Sequence, residues 1–458
     1  MTSIRQFLAV SAALTLLFLM AALPIVPELL YVKVALSGIS AGIAVYMWLD
    51  RPRLHGSVLL WLAVTVCAGI ASGCIGLVSR APGAMNGLQV YAFWPLVYGA
   101  LLTLFYRWRY LVFVEYVLLA SLITVSGYGL VLIAVTAGVL PNAFYVPILD
   151  QGQAVGFYGE YSRVNLYGLN SFPFLLPYCL VSALQGGGRA PARVVLRWLA
   201  VMLGIAFTLV SGRRGLMLSV LLAPLLVLLL CRSHRQVAKL TVAGIAIAIV
   251  FVVEVRVIGE NFGVTLPGIV RSVVSGFEFQ SSVDAGASPR LAQFEELAGE
   301  FYEHPVLGAG LGAVAPGVIR SYGMPWSYEL SYSALLFQTG LLGAGIYLGL
   351  IVWIYWAGLR VVRRTPFLAP IMSAHLAGLT GILITNATNP ILMRFDGLWA
   401  VFLPLGVINY ALLRERRIPL GPAARLPVAP EGSRMERSAI LPHELWFVGA
   451  IKGFSGWP

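Results

Sequence analysis

Long apolar runs alternate with short polar stretches along most of this chain. The runs fall at about 7–25, 29–48, 57–79, 88–105, 110–138, 166–186, 195–210, 215–231, 240–258, 330–357, 367–386 and 393–412. A helix that crosses a bilayer needs about 20 apolar residues. The pattern therefore predicts an all-α polytopic membrane protein with about twelve transmembrane helices. The run at 110–138 is long enough to tilt or to extend past the bilayer. The seventh and eighth runs are separated only by a turn within "SGRRGLMLS", residues 211–219, and are expected to form a tight helical hairpin. The first run has the length of a signal peptide, but a second apolar segment follows almost at once, so it reads as an uncleaved anchor helix.

Composition removes the soluble alternative. Of 458 residues, 59% are hydrophobic and only 11% charged, with a mean hydropathy of +0.85. A soluble domain carries about 25% charged residues. The formal net charge of +12 would suggest nucleic-acid binding in a soluble chain. Here its distribution gives another reading. Basic clusters follow the second run (Arg51, Arg53), the fourth (Arg107, Arg109), the sixth ("GGGRAPARVVLR"), the eighth ("RSHRQVAK"), the tenth ("RVVRR") and the twelfth ("RERR"). With Arg5 they make seventeen Lys/Arg against two acids, Asp50 and Glu415. Cytoplasmic loops carry such an excess, so both termini are expected inside and no nucleic-acid partner is implied. The four cysteines, Cys67, Cys74, Cys179 and Cys231, lie in or at the ends of apolar runs without metal-ligand or disulfide-framework spacing, and read as small buried hydrophobes.

This alternation puts Arg213 and Arg214 on the outer side, opposite to topogenic charge. Two larger outer segments join them. Residues 139–165 contain "GEYSRVNLYGLN", with Arg163 and Asn165. Residues 259–329 form a loop far longer than usual connections, and such loops are commonly functional. Within it, Ser288 and Pro289 signal a helix start. Leu291, Phe294, Leu297, Ala298 and Phe301 recur at helical spacing, and Pro305 ends the pattern. A short amphipathic helix at the outer interface is expected, with Glu295, Glu296, Glu300 and Glu303 on other faces and Arg290 in its first turn. "GAGLG" (308–312) lacks a preceding strand and a Walker lysine, which leaves tight backbone turns instead of a nucleotide loop. Glu329 stands at the outer mouth of the tenth run, flanked by Tyr328 and Tyr332. An ionisable group there is a functional candidate. His304 reads as a helix-end residue and His375 as a packing residue. No cluster has metal spacing, so no metal is implied. The chain thus divides into a membrane domain, 1–417, and a weakly patterned tail, 418–458, expected to be mostly disordered and cytoplasmic.

Arginines from distant segments (Arg163, Arg213, Arg214, Arg290) beside one carboxylate, Glu329, suggest a chemistry. Guanidinium forks suit phosphate oxygens. Fixed arginines would stabilise the charge on a leaving diphosphate, and a carboxylate could take the proton from an attacking sugar hydroxyl. That fits transfer of a glycan from a polyprenyl-diphosphate donor, without nucleotide or metal cofactor. The same residues would also fit an anion pathway.

Four stretches resemble the superfamily of O-antigen ligases and O-antigen polymerases. "SGRRG" is similar to its S-R-G element, with Arg214 at the arginine and Arg213 where serine is usual. "SPRLAQFEELAGEFYEHPVLGAGLG" resembles its stretch from R-L to G-x-G, placing Arg290 at the second arginine. "ELSYSALLFQTGLLG" is similar to its H-N-x-x-L…G-L-x-G stretch, and "GEYSRVNLYGLNSF" resembles its outer asparagine segment through Asn165. Together they cover about residues 155–350. The resemblance implies a GT-C-like membrane glycosyltransferase of the bacterial inner membrane with its site facing the periplasm. It further implies an undecaprenyl-diphosphate-linked glycan as donor, an acceptor glycan or lipid A-core, and polysaccharide-assembly proteins as partners. Ligases of the family carry a histidine where this chain has Glu329, which shifts the expectation towards polymerisation, with ligation second. A flippase or secondary transporter remains the alternative of another class. "LDRPR" after the second run is similar to a transporter loop motif, whereas no half-repeat is present and Lys33 is the main ionisable residue within a run. A non-enzymatic envelope assembly protein is the third reading.

Overall fold

Helix forms wherever the apolar pattern is densest. The computed structural model describes residues 2–24, 26–50, 53–136, 138–144, 150–158, 161–185, 191–211, 214–231, 235, 238–242, 244–245, 287–319 and 323–417. In chain order the helices are α1 (Thr2–Ala22), α2 (Leu30–Asp50), α3 (Gly56–Val78), α4 (Ala84–Leu88), α5 (Trp94–Leu102), α6 (Trp108–Thr136), α7 (Phe172–Gln185), α8 (Pro191–Val210) and α9 (Arg214–Leu230). Then follow α10 (Ala287–Glu303), α11 (Ser331–Arg364), α12 (Ala369–Asn386) and α13 (Trp399–Arg417). A π-helical segment, Gln89–Phe93, joins α4 to α5. Eleven of the twelve apolar runs contain helix; the run at 240–258 lies largely outside the described residues, as do Arg213 and the whole tail from 418.

Six helical segments among the described residues are long and apolar enough to cross a membrane: Ile4–Ala22, Pro27–Leu49, Gly56–Val78, Trp108–Thr136, Pro191–Leu209 and Ser331–Arg364. Their polarity is arranged for lipid. Large apolar side chains stand exposed along these helices, with Tyr31 84% and Val78 85% accessible, a surface only hydrocarbon would solvate well. Inside, Ser37, Ser121, Ser126 and Thr208 are buried and donate to carbonyls four residues back, at 2.7–2.9 Å, which satisfies these four hydroxyls within their own helices.

The all-α expectation holds for the bulk of the described residues, with one addition. Asp150–Tyr158 and Tyr161–Leu166 form an antiparallel β-hairpin, β1–β2, with Gly156 opposite Arg163 and Tyr158 opposite Tyr161. The alternating, aromatic-rich "QAVGFYGEYSRVNL" suits a hairpin, and no helical run competes with it.

Contacts between distant segments sort the turns into two ends. At one end Tyr106 bonds Gln6 at 2.9 Å, Asn409 bridges Arg53 and His55, and Trp108 and Arg414 both pack on Phe367. These contacts join the turns after the second, fourth and tenth runs and the end of the twelfth. At the other end Lys33 Nζ donates to Leu23 O at 2.6 Å, Tyr98 to Phe395 O at 2.9 Å, and the Leu311 N–H to Ser72 O at 3.0 Å.

α11 is broken near its start. Gly340 adopts φ 61°, ψ −172° inside the helix. The orphaned backbone groups are met by the segment leading out of α10. Ala309 and Gly310 N–H donate to Phe337 and Gln338 carbonyls at 2.9 and 3.0 Å, while Leu341 and Leu342 N–H donate to Pro305 and Val306 carbonyls at 2.9 and 3.1 Å. Irregular backbone at membrane depth survives only when so satisfied.

Candidate functional site

The segment after α10 has to lie flat against two helices, which explains "GAGLG". Gly308, Gly310 and Gly312 all have positive φ (76°, 97° and 76°), and a Cβ on them would meet the backbone of residues 338–340, Gly76 and Gly83 respectively. The tight-turn reading holds: these glycines seat the loop leading out of α10 against α11, the end of α3 and the start of α4.

α10 forms over the expected residues but presents a different face to the protein. Gln293 and Leu297 are buried at 5% and 1% exposure, whereas Leu291 and Phe294 are more than half exposed. Leu297 packs with Tyr328, Phe337, Ala313, Ala315 and Ala334. Gln293 Oε1 accepts from the Leu330 N–H at 2.9 Å and Glu296 Oε1 from the Gly317 N–H at 2.9 Å. Both bonds pin α10 to the approach of α11.

That docking brings together two of the three predicted catalytic residues. Arg290 Nε donates to Glu329 Oε2 at 2.7 Å, thirty-nine residues apart in sequence, with side chains 44% and 21% exposed. The flanking tyrosines divide. Tyr332 is part exposed and donates to Leu383 O at 2.6 Å. Tyr328 is fully buried, and its hydroxyl accepts the Ala315 N–H at 2.6 Å. It is a prop beneath the pair, not a surface offered to a substrate. Burial pushes its phenol above the ordinary range; the bond from Ala315 opposes this, and Glu300 and Glu296 add to it.

The remaining predicted residues are placed by backbone or not at all. Arg163 and Asn165 lie on β2, and Arg214 opens α9; their side chains, like all of Arg213, lie outside the described residues. Sequence reading passed over Arg394, which is part exposed in the turn between α12 and α13, next to Met393 packed against the Tyr328 cluster. Its signal was its position after the eleventh run, on the side of Glu329.

Two buried ion pairs bring in partners that sequence did not supply, Glu115 for Arg197 and Asp396 for Lys33. Arg197 was assigned to a basic loop, but it lies buried in α8, where its Nε reaches Glu115 Oε1 of α6 at 2.7 Å, with Ser182 of α7 bonding the same oxygen at 2.9 Å. Lys33, buried at 1%, lies 4.0 Å from Asp396. His375 packs edge-on against Tyr178 at 4.9 Å, as a packing residue should, with Nδ1 at 2.8 Å from Ile371 O. It lines an apolar cavity with Trp399 and Met20. Of the cysteines, Cys67 and Cys74 are exposed on α3 instead of buried, because that helix turns them outward. Among the described residues no group of three His, Cys, Asp or Glu is placed to hold a metal ion.

Compared with models of protein families, the chain matches none, and no curated protein matches it.

Proposed function

We propose that this chain transfers a glycan from a polyprenyl-diphosphate-linked donor to a sugar hydroxyl, extending a bacterial envelope polysaccharide. In this reading it is a GT-C-like inner-membrane protein of about twelve spans, with both termini cytoplasmic and the Arg290 end facing the periplasm. The observation that carries the reading is the part-exposed Arg290–Glu329 bond of 2.7 Å. An arginine held by a carboxylate can exchange it for a donor diphosphate. That exchange releases Glu329 as a base when the anionic substrate arrives. The acceptor oxygen then attacks the anomeric carbon, the carbon–oxygen bond to the diphosphate breaks, and the hydroxyl proton passes to Glu329. Arg290, with Arg214, takes up the charge that develops on the leaving diphosphate. Arg213, Arg163, Asn165 and Tyr332 would position the two glycans, and no cofactor enters the scheme.

Buried ionisable groups within helices favour a second reading, transport of a lipid-linked glycan. Glu115–Arg197 and Lys33–Asp396 are the kind of intramembrane charges that mark substrate pathways. One experiment separates the two. A deletion strain is complemented with wild type, Arg290→Ala, Glu329→Gln or Arg214→Ala at matched membrane levels, and glycan chain length and attachment are resolved on gels. Glycan transfer predicts that each variant loses about a hundredfold or more in ladder formation, while lipid-linked donor still reaches the periplasmic leaflet. Long lipid-linked chains that fail only to reach lipid A-core mean ligation. Full transfer in all three variants removes the site, and loss of donor at the periplasmic leaflet means transport.

A further inference from the structure

The opposite end of the bundle holds a cluster that glycan transfer does not use. Tyr106, between α5 and α6, exchanges hydrogen bonds with the Gln6 amide at 2.9 and 3.3 Å. The guanidinium carbon of Arg53 lies 4.4 Å from the centroid of its ring, and that of Arg107 lies 5.3 Å from the same centroid. Asn409 of α13 fixes the turn carrying Arg53, donating to Arg53 O at 2.9 Å and accepting from the His55 N–H at 2.8 Å. Four distant segments thus converge to hold two cations on one aromatic ring.

Like charges so close repel. Among the described side chains neither arginine has a carboxylate partner, and Arg53 Nη1 is shielded from solvent without a hydrogen-bond acceptor. A shielded charged donor without an acceptor is costly, and the ring face supplies only part of the compensation. Two cations held over one ring suit an anion with several oxygens, and guanidinium groups pair well with phosphate. Aromatic side chains mark the level. Tyr110 stands edge-on to Tyr106 at 6.4 Å, and the neighbouring Trp108 packs on Phe367 at 5.6 Å. Such aromatics collect at the depth of lipid headgroups.

We propose that Arg53 and Arg107 form a binding site for the phosphate of an anionic phospholipid headgroup, at the end of the bundle opposite the Arg290–Glu329 pair. The site is independent of the catalytic reading.

The test uses the purified full-length chain in nanodiscs of phosphatidylcholine with a minority of phosphatidylglycerol, with retained lipids counted by native mass spectrometry. Wild type is expected to retain phosphatidylglycerol selectively, and Arg53→Gln with Arg107→Gln to lose that selectivity by about fivefold or more. Arg363→Gln with Arg364→Gln removes the same charge from exposed positions at the end of α11 and is expected to retain it. Arg53→Lys with Arg107→Lys keeps the charges but not the forks, and reads the site even if the glutamine pair misfolds; a partial loss is expected. Equal loss in the 53/107 and 363/364 pairs, or undiminished selectivity in both 53/107 variants, overturns the proposal. A separate arm adds inorganic phosphate to the chain in neutral detergent. Thermal stabilisation equal to that from the lipid would assign the site to soluble phosphate and overturn the lipid reading.

Discussion

Two arginine–glutamate pairs in this protein have the same bond and opposite surroundings. Arg197 Nε meets Glu115 Oε1 at 2.7 Å with side chains 9% and 3% exposed, and Arg290 Nε meets Glu329 Oε2 at 2.7 Å with side chains 44% and 21% exposed. The first pair sits among three helices, with Ser182 sharing the carboxylate. The second joins α10 to the approach of the broken helix α11. Distance alone would call them equal. Burial decides what each can do: the inner pair is enclosed by helices, while the outer one is open to solvent and, in the proposed reaction, trades its partner for an incoming anion.

The largest effect should come from breaking the inner pair. Arg197→Met leaves Glu115 charged and enclosed, and removing one partner of a buried pair costs about 3–5 kcal/mol. Arg197→Met with Glu115→Leu replaces the pair by apolar volume and should recover most of that loss. Thermal unfolding in detergent, with yield of folded protein as a second reading, tests both. A double variant no more stable than the single one would mean that the pair is needed for more than charge compensation.

The outer pair should behave in the reverse way, losing activity without losing the fold. Arg290→Ala or Glu329→Gln is expected to shift stability by no more than about 1 kcal/mol. Raising salt from low to about 1 M, where the Debye length falls to about 3 Å, should erase even that difference and leave the Arg197→Met penalty in place. If Glu329→Gln destabilised the chain as much as Arg197→Met, the outer pair would be a structural staple and its catalytic role would fall.

The contrast also shows what sequence could reveal. Apolar runs are set by hydrophobicity over many residues, so α1–α3, α5–α9 and α11–α13 could be read directly, whereas the short α4 could not. Ser288–Pro289 and Pro305 bracketed α10 for the same local reason. Arg290 and Glu329 were singled out separately, by the helix turn and by the span mouth, but their contact depends on Gly308, Gly310, Gly312 and Gly340 folding the intervening loop against a broken helix. That geometry is non-local. Arg197 was misplaced because it stands only six positions after the first residue of α8, so a charge count assigns it to the loop although it lies well inside the helix. Glu115 went unnoticed because a lone acid in an apolar run has no local signature; only the facing helix shows its partner. The hairpin at 150–166 was missed because its period-two pattern is short and lies between much stronger helical signals.

The smallest effect concerns the acids beside the outer pair. Burial, then repulsion from Glu303 and Glu296, holds the Glu300 carboxyl above its ordinary value of 4.5, and His304 partly offsets this. A carboxyl raised in the folded state is protonated there in preference, so it costs stability once ionised. The cost should grow as pH rises from about 4.5 through the raised folded value and be relieved on acidification. Solvent screens a group this near the surface, so the effect on α10 should be about 0.5 kcal/mol or less. Amide exchange across 290–303, corrected for the intrinsic pH dependence of exchange, should show greater protection near pH 5 than at pH 7 in wild type and a smaller difference in Glu300→Gln. Identical pH dependence in the two would mean that the protection change comes from another group, with His304 and Glu296 the next to replace. A loss of protection on acidification would instead mean that α10 is held by its ionised acids, the Glu296–Gly317 bond first among them, and the outer pair would then depend on pH through its support and not through its own charges.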